Sequence, residues 1–119
     1  MAVERFEDLI AWQKSRQLAN LIYKITNIGQ FERDFGLRDQ IRRASVSVMS
    51  NIAEGFERHS RPDFHRFLVI AKASCAEVGS QLYLAHDIGY VNKNDFDDAM
   101  NLAIETTKII NGLRKSVSS

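Results

Sequence analysis

Seven apolar or small residues recur in steps of four and three: Phe64, Leu68, Ala71, Cys75, Val78, Leu82 and Ala85. Each residue of an α-helix turns the chain by about 100°, so this spacing lines one stripe of a helix. A strand would scatter the same positions over both faces. The flanks give the limits. Ser60 followed by Asp63 resembles a capping box, and Pro62 sits in the first turn, where its missing N–H does no harm. Gly89 stops the run, and Tyr90–Asn92 make a turn. An amphipathic helix over about 61–88 is therefore expected.

Three more helices follow from the same reasoning. One is expected over about 8–26, with Ala11, Leu18, Ile22 and Ile25 near one face and Asn27–Gly29 ending it. Another is expected over about 35–57, after Gly36, with Gly55 near its end as a candidate C-terminal cap. The last is expected over about 93–115. Asp95, Asp97 and Asp98 fall in its first turns and Arg114 and Lys115 in its last, the order that the helix dipole favours. Its buried stripe is expected at Phe96, Met100, Ala103, Thr107, Ile110 and Val117. A single Pro and six Gly leave few breaks between long helices. Short connections between helices of this length predict an all-α chain of one domain over 1–119, an antiparallel up-and-down four-helix bundle.

The second helix carries more apolar surface than one core needs. Leu37, Ile41, Ala44, Val48 and Ile52 form one stripe, while Val46, Met49, Ala53 and Phe56 form another on a different side. On the third helix, Val69, Ala73, Ala76 and Ser80 repeat the four–three spacing opposite Phe64 and Leu82. Small residues let another helix approach closely, where a solvated face would carry Lys, Glu or Gln. These eight residues are the candidate interface of a self-associating protein.

Composition removes several classes of function. A net charge of +1 argues against a strongly basic nucleic-acid binder, yet the charges are unevenly spread. Between Arg38 and Lys72 there are seven Lys/Arg against four Asp/Glu, whereas 92–105 holds one Lys and four acids, a pattern able to make a basic face. The longest charge-free run is Ala44–Ala53, far short of a membrane span. The start MAVERFEDLI carries acids and no apolar core, so no signal peptide is expected. Lone Cys75 forms no internal disulfide and fits a reduced cytoplasm.

Chemistry is sparse. His59, His65 and His86 lack the i, i+4 His partner of a helical zinc site, and Cys75 falls on a core stripe. No phosphate-binding glycine loop or nucleophile elbow is present, so no enzyme, cofactor or metal is expected. Glu54 with Arg58 and Glu57 with Arg61 are spaced as surface ion pairs. Asn51 and Glu54 border the apolar stripes and read as members of a buried hydrogen-bond network. Arg42 and Arg43 read as contacts to a partner.

The words FEDLIAWQKSRQLANLIYKIT, GLRDQIRRASVSVMSNIAEGFER, SRPDFHRFLVIAKAS and EVGSQLYLAHDIGY occur in order over residues 6–90. With them the chain resembles the four-helix bundle proteins encoded by intervening sequences of 23S ribosomal RNA genes. The accessory variability protein of diversity-generating retroelements is similar too. The resemblance implies a barrel-shaped homopentamer without established enzymatic activity. Through the retroelement branch it also implies a basic surface for RNA or DNA and for a reverse transcriptase. Carried onto this chain, that surface comprises Arg42 and Arg43, with Arg58, Arg61, Arg66 and Lys72 around the third helix. Near-neutral charge sets this chain apart from the retroelement branch and makes the intervening-sequence type the closer match.

Overall fold

The four–three rhythms become four long helices joined by tight turns, plus one short helix that periodicity does not announce. In the computed structural model, which describes residues 3–117, α1 spans Ile10–Ile25, α2 Gly29–Arg33, α3 Phe35–Glu57, α4 Arg61–Asp87 and α5 Lys93–Ser116. A single 3-10 turn at Phe6–Asp8 precedes α1, so the first α-helix starts later than the expected residue 8. No strand occurs among the described residues.

Hydrogen bonds across the helices set their directions. Arg42, early in α3, donates to Thr26 at the end of α1 (2.8 Å), and Arg61, opening α4, donates to the Ser116 carbonyl at the end of α5 (2.7 Å). The end of α3 lies against the beginning of α4. Successive long helices are therefore antiparallel. α1 also packs on α5, which closes a four-sided bundle of about 45 × 22 × 19 Å.

Leu18, Ile22, Ile41, Val48, Ile52, Leu68, Val78, Leu82 and Ile110 fill the interior with no exposure at all. Each such side chain contributes about 1.5–3 kcal/mol by leaving water. The polar groups among them turn back on their own helices. Ser15 donates to the Ala11 carbonyl (2.6 Å), Thr26 to Ile22 (2.7 Å) and Thr106 to Leu102 (2.7 Å), so none of these three hydroxyls is buried unpaired.

Several terminations differ from the expectation. Gly55 is not a cap: it is buried inside α3, and a Cβ there would lie 2.5 Å from the Phe67 Cβ of α4. The helices cross at that point, and only glycine leaves room. α3 ends two residues later, and His59, at φ 55°, takes the left-handed turn that leads into α4. Gly36 lies within the first turn of α3 rather than before it. There Asp34 caps the helix, accepting from the Leu37 N–H at 3.1 Å and from the Tyr90 hydroxyl at 2.9 Å. Those two bonds, the Leu37 bond foremost, hold the Asp34 carboxyl below its usual range, and the Asp34 contact raises Tyr90.

Ser60 does cap α4, accepting from the Asp63 N–H at 3.4 Å. At the far end Gly89, at φ 82°, lets the Tyr90 N–H reach the Ala85 carbonyl (2.9 Å) and its own N–H reach His86 (3.1 Å). That is a Schellman motif. Asn92 caps α5 through the Asp95 N–H at 2.8 Å. The buried stripe of α5 is Ala99, Ala103, Thr106 and Ile110, rotated from the expected one. Phe96, Met100 and Thr107 are half-buried on its flank toward α4, and Val117 lies past the helix end.

Candidate nucleic-acid interface and assembly faces

The six cations that the sequence offers for a basic surface are divided by the fold. Arg42 is spent inside the chain. Its Nε bonds Thr26 Oγ1, and its guanidinium lies 4.6 Å from the centre of the Tyr23 ring, tying α3 to α1. Arg43 is exposed and makes no ion pair among the described residues. Arg58 and Arg66 approach Phe67, at 5.1 and 4.8 Å from its ring centre, and each also meets one acid: Glu54 at 3.3 Å and Asp63 at 3.4 Å. Arg61 stands beside them at the α3–α4 turn. Fifteen residues of one helix, about 22 Å, separate Arg43 from Arg58, so Arg42 and Arg43 do not join this cluster.

Lys72 belongs to a third group, which includes a residue that sequence reasoning assigns only to the helix dipole. Lys72 Nζ donates to Asn111 Oδ1 at 3.3 Å, and Arg114 donates to the same oxygen through Nε (3.1 Å) and Nη2 (3.0 Å). Arg114 Nη1 also meets His65 Nε2 at 3.3 Å. Among the described residues no carboxylate forms an ion pair with Lys72 or Arg114. Two cations are thus gathered on one neutral amide oxygen.

Of the two expected ion pairs, Glu54–Arg58 forms and Glu57–Arg61 does not. Glu57 does not reach Arg61; it lies 3.9 Å from His59 Nε2, while Arg61 bonds the Ser116 carbonyl. Glu54 points outward to Arg58 and takes no part in a buried network. Asn51 does: its Nδ2 donates to the Ser47 carbonyl (2.8 Å) and Oγ (2.9 Å), and Ser47 Oγ meets Ser74 Oγ at 2.9 Å between α3 and α4.

The expected interface residues fall on two opposite sides of the bundle. On α3, Val46 is exposed, while Met49 and Ala53 are half-buried on the side that looks toward α1. Phe56 is used within the chain, edge-on to Phe64 at 5.9 Å. On α4, Val69, Ala73, Ala76 and Ser80 are all exposed on the side toward α5. There Ala76, Gly79, Ser80, Tyr83, Met100 and Ile104 line a groove of about 560 Å³ between the helices. Ile104, 47% exposed, stands at its edge. Its floor is open because α4 contributes mostly small side chains.

The Cys75 thiol is buried, donates to the Ala103 carbonyl at 3.3 Å, and is raised above its ordinary pKa by desolvation, which opposes formation of a thiolate. His86 stacks on Phe96 at 4.6 Å. Among the described residues no group of three or more His, Cys, Asp or Glu is placed to hold a metal ion, and no helix is long and apolar enough to cross a membrane.

Comparison with known proteins agrees with this architecture. A crystal structure of a protein of unknown function from the S23 ribosomal protein family of Bacteroides thetaiotaomicron VPI-5482 superposes with a TM-score of 0.81. It shares 24% identity, over 89% of this chain and 96% of that one, and so establishes likeness of fold. No curated protein sequence matches the chain. The sequence model for the 23S rRNA-intervening sequence protein matches residues 7–112, all four long helices being included in whole or in large part. The chain belongs to the 23S rRNA-intervening sequence protein family.

Proposed function

We propose that this chain is a non-enzymatic bundle that assembles with copies of itself into a closed ring in the cytoplasm and holds RNA or DNA by its phosphates. Five subunits is the number the family resemblance implies. Support for the ring comes from the two apolar faces. They lie on opposite sides of one bundle, and unlike faces joined head to tail generate rings when the rotation closes.

The observation that carries nucleic-acid binding is the grouping of Arg58, Arg61 and Arg66 at the α3–α4 turn. A ring repeats that group in every subunit at one rim. Local density is what counts, since five copies together carry only about +5. The acidic start of α5 lies at the opposite end of the bundle. Phe67 holds Arg58 and Arg66 in place, which reduces the entropy that each would lose on meeting a phosphate.

Phosphate contacts release counterions, so log K falls against log salt with a slope of about −0.9 per duplex phosphate neutralised. Replacing Arg58, Arg61 and Arg66 together by Gln is expected to flatten that slope in gel-shift titrations while the assembly stays intact. Absence of binding by the parent protein at low salt would remove this reading. A scaffold that binds only protein, such as an accessory partner of a reverse transcriptase, would then stand in its place.

A further inference from the structure

The outer faces of α3 and α5 carry the same charge spacing with the signs reversed. Asp39, Arg43 and Glu54 descend α3, and Lys93, Asp97 and Lys108 descend α5. The intervals are four and eleven residues on both helices. Both are close to whole turns, so each triplet keeps to one stripe. A shift of 54 residues takes every member of the first set onto an opposite charge in the second. The same shift sets Val46 beside Met100, and small Ser50 beside protruding Ile104.

We propose that the α4–α5 groove is filled by α3 of a second copy, parallel to α5, with Arg43 facing Asp97 and Glu54 facing Lys108. This rests on the self-association reading above and names its two surfaces. Helix α3 presents a ridge and the groove is concave, so shape and charge agree. Present partners of these charges are neighbours on the same helix, Asp39 with Arg38 (2.9 Å), Glu54 with Arg58 (3.3 Å) and Lys93 with Asp97 (2.9 Å), each pair having at least one exposed side chain. Exposed pairs of this kind are weak and exchange readily.

Two further observations agree with that alignment. Ser47 meets Ser74, and the neighbouring Cys75 meets Ala103, so in one chain an α3 residue lies level with the α5 residue about 57 positions later. Rotation about an axis parallel to the bundle preserves height, and a shift of 54 differs from level by three residues, about 4.5 Å. A slight tilt of the subunits supplies that. The shift of 54 also carries Glu57 to Asn111, the amide on which Lys72 and Arg114 converge without a carboxylate. In the ring a neighbour's carboxylate supplies the missing charge.

Charge exchange in the full-length chain tests the pairing. Sedimentation velocity is expected to show an assembled parent, dissociation of Glu54→Lys to monomer, and reassembly of the double variant Glu54→Lys/Lys108→Glu. Circular dichroism on each variant checks that the bundle itself stays folded. If the double variant stays monomeric, or Glu54→Lys assembles like the parent, the pairing is overturned while self-association stands. If Arg43→Glu restores Glu54→Lys instead, α3 packs antiparallel on α3 of its neighbour and the groove assignment is wrong. A monomeric parent would end the self-association reading as well. Mild oxidation of Ser50→Cys/Ile104→Cys gives a second measurement: the proposal expects a covalent ladder beyond dimers, which neither single variant forms. A dimer as the sole product contradicts it.

Discussion

Gly55 illustrates how one hydrogen atom in place of a methyl group sets the approach of two helices. Phe67 Cβ occupies the space that a Cβ at residue 55 would need, at 2.5 Å, and Cβ atoms move only with their backbones. Gly55→Ala is therefore expected to destabilise by about 1–3 kcal/mol through overpacking, although alanine has the better helix propensity by about 1 kcal/mol. Thermal or urea melts measure the difference, and a variant as stable as the parent would show that the crossing relaxes freely. Sequence spacing places this glycine near a helix end, where it reads as a terminator. What governs it is a contact twelve residues away in sequence on another helix, which no local pattern contains. The arginines show the same limit. Residue type marks Arg42 as a surface contact, but its neighbour across α1, Thr26, turns it into an internal tie. Arg114 joins a cluster only through Asn111 and Lys72.

At the scale of elements, strong periodicity makes the long helices and the all-helical architecture legible, because burying one stripe outweighs local preference in each of them. The short helix α2 has no period to read in five residues. Phe31 within it is nonetheless wholly buried, resting against Tyr90 with ring centres 5.4 Å apart. The stripe of α5 is rotated because Met100 and Thr107 line the wall of the groove beside α4 and Phe96 packs on Tyr83 and His86, while smaller Ala99 and Ala103 sit deeper. Asp34 joins these parts, capping α3 while accepting from Tyr90 beyond α4. Its folded pKa is depressed, so its stabilisation is fully present above the unfolded value of about 3.9 and is lost as pH falls through the folded value. Asp34→Asn is expected to melt earlier than the parent at neutral pH, with the gap narrowing below pH ~4. A gap independent of pH would show that the charge on Asp34 contributes nothing.

For the whole molecule, apolar side chains fill one core, and further apolar surface remains outside it on two sides of a narrow bundle. Ala76 lies in the open α4–α5 groove, where a longer or charged side chain leaves the single chain undisturbed. Ala76→Glu is expected to keep the melting profile of an isolated bundle but to dissociate the assembly, since burying an unpaired charge costs several kcal/mol. Light scattering at micromolar concentration decides this, and an assembly of unchanged mass would place the interface elsewhere.

The tight α3–α4 turn bears on the order in which the chain folds. Only Arg58–Ser60 separate two long helices whose contacts begin at the turn and continue along both, so their pairing closes small loops. Joining α1 to α5 instead closes a loop through nearly the entire chain, at greater entropic cost. Low sequence separation favours the α3–α4 hairpin as the early nucleus, with the α1–α5 contact forming last. The same hierarchy sets how the native state opens. Hydrogen exchange is expected to be fastest at amides of the α1–α5 seam and slowest at those beside Gly55 and Phe67.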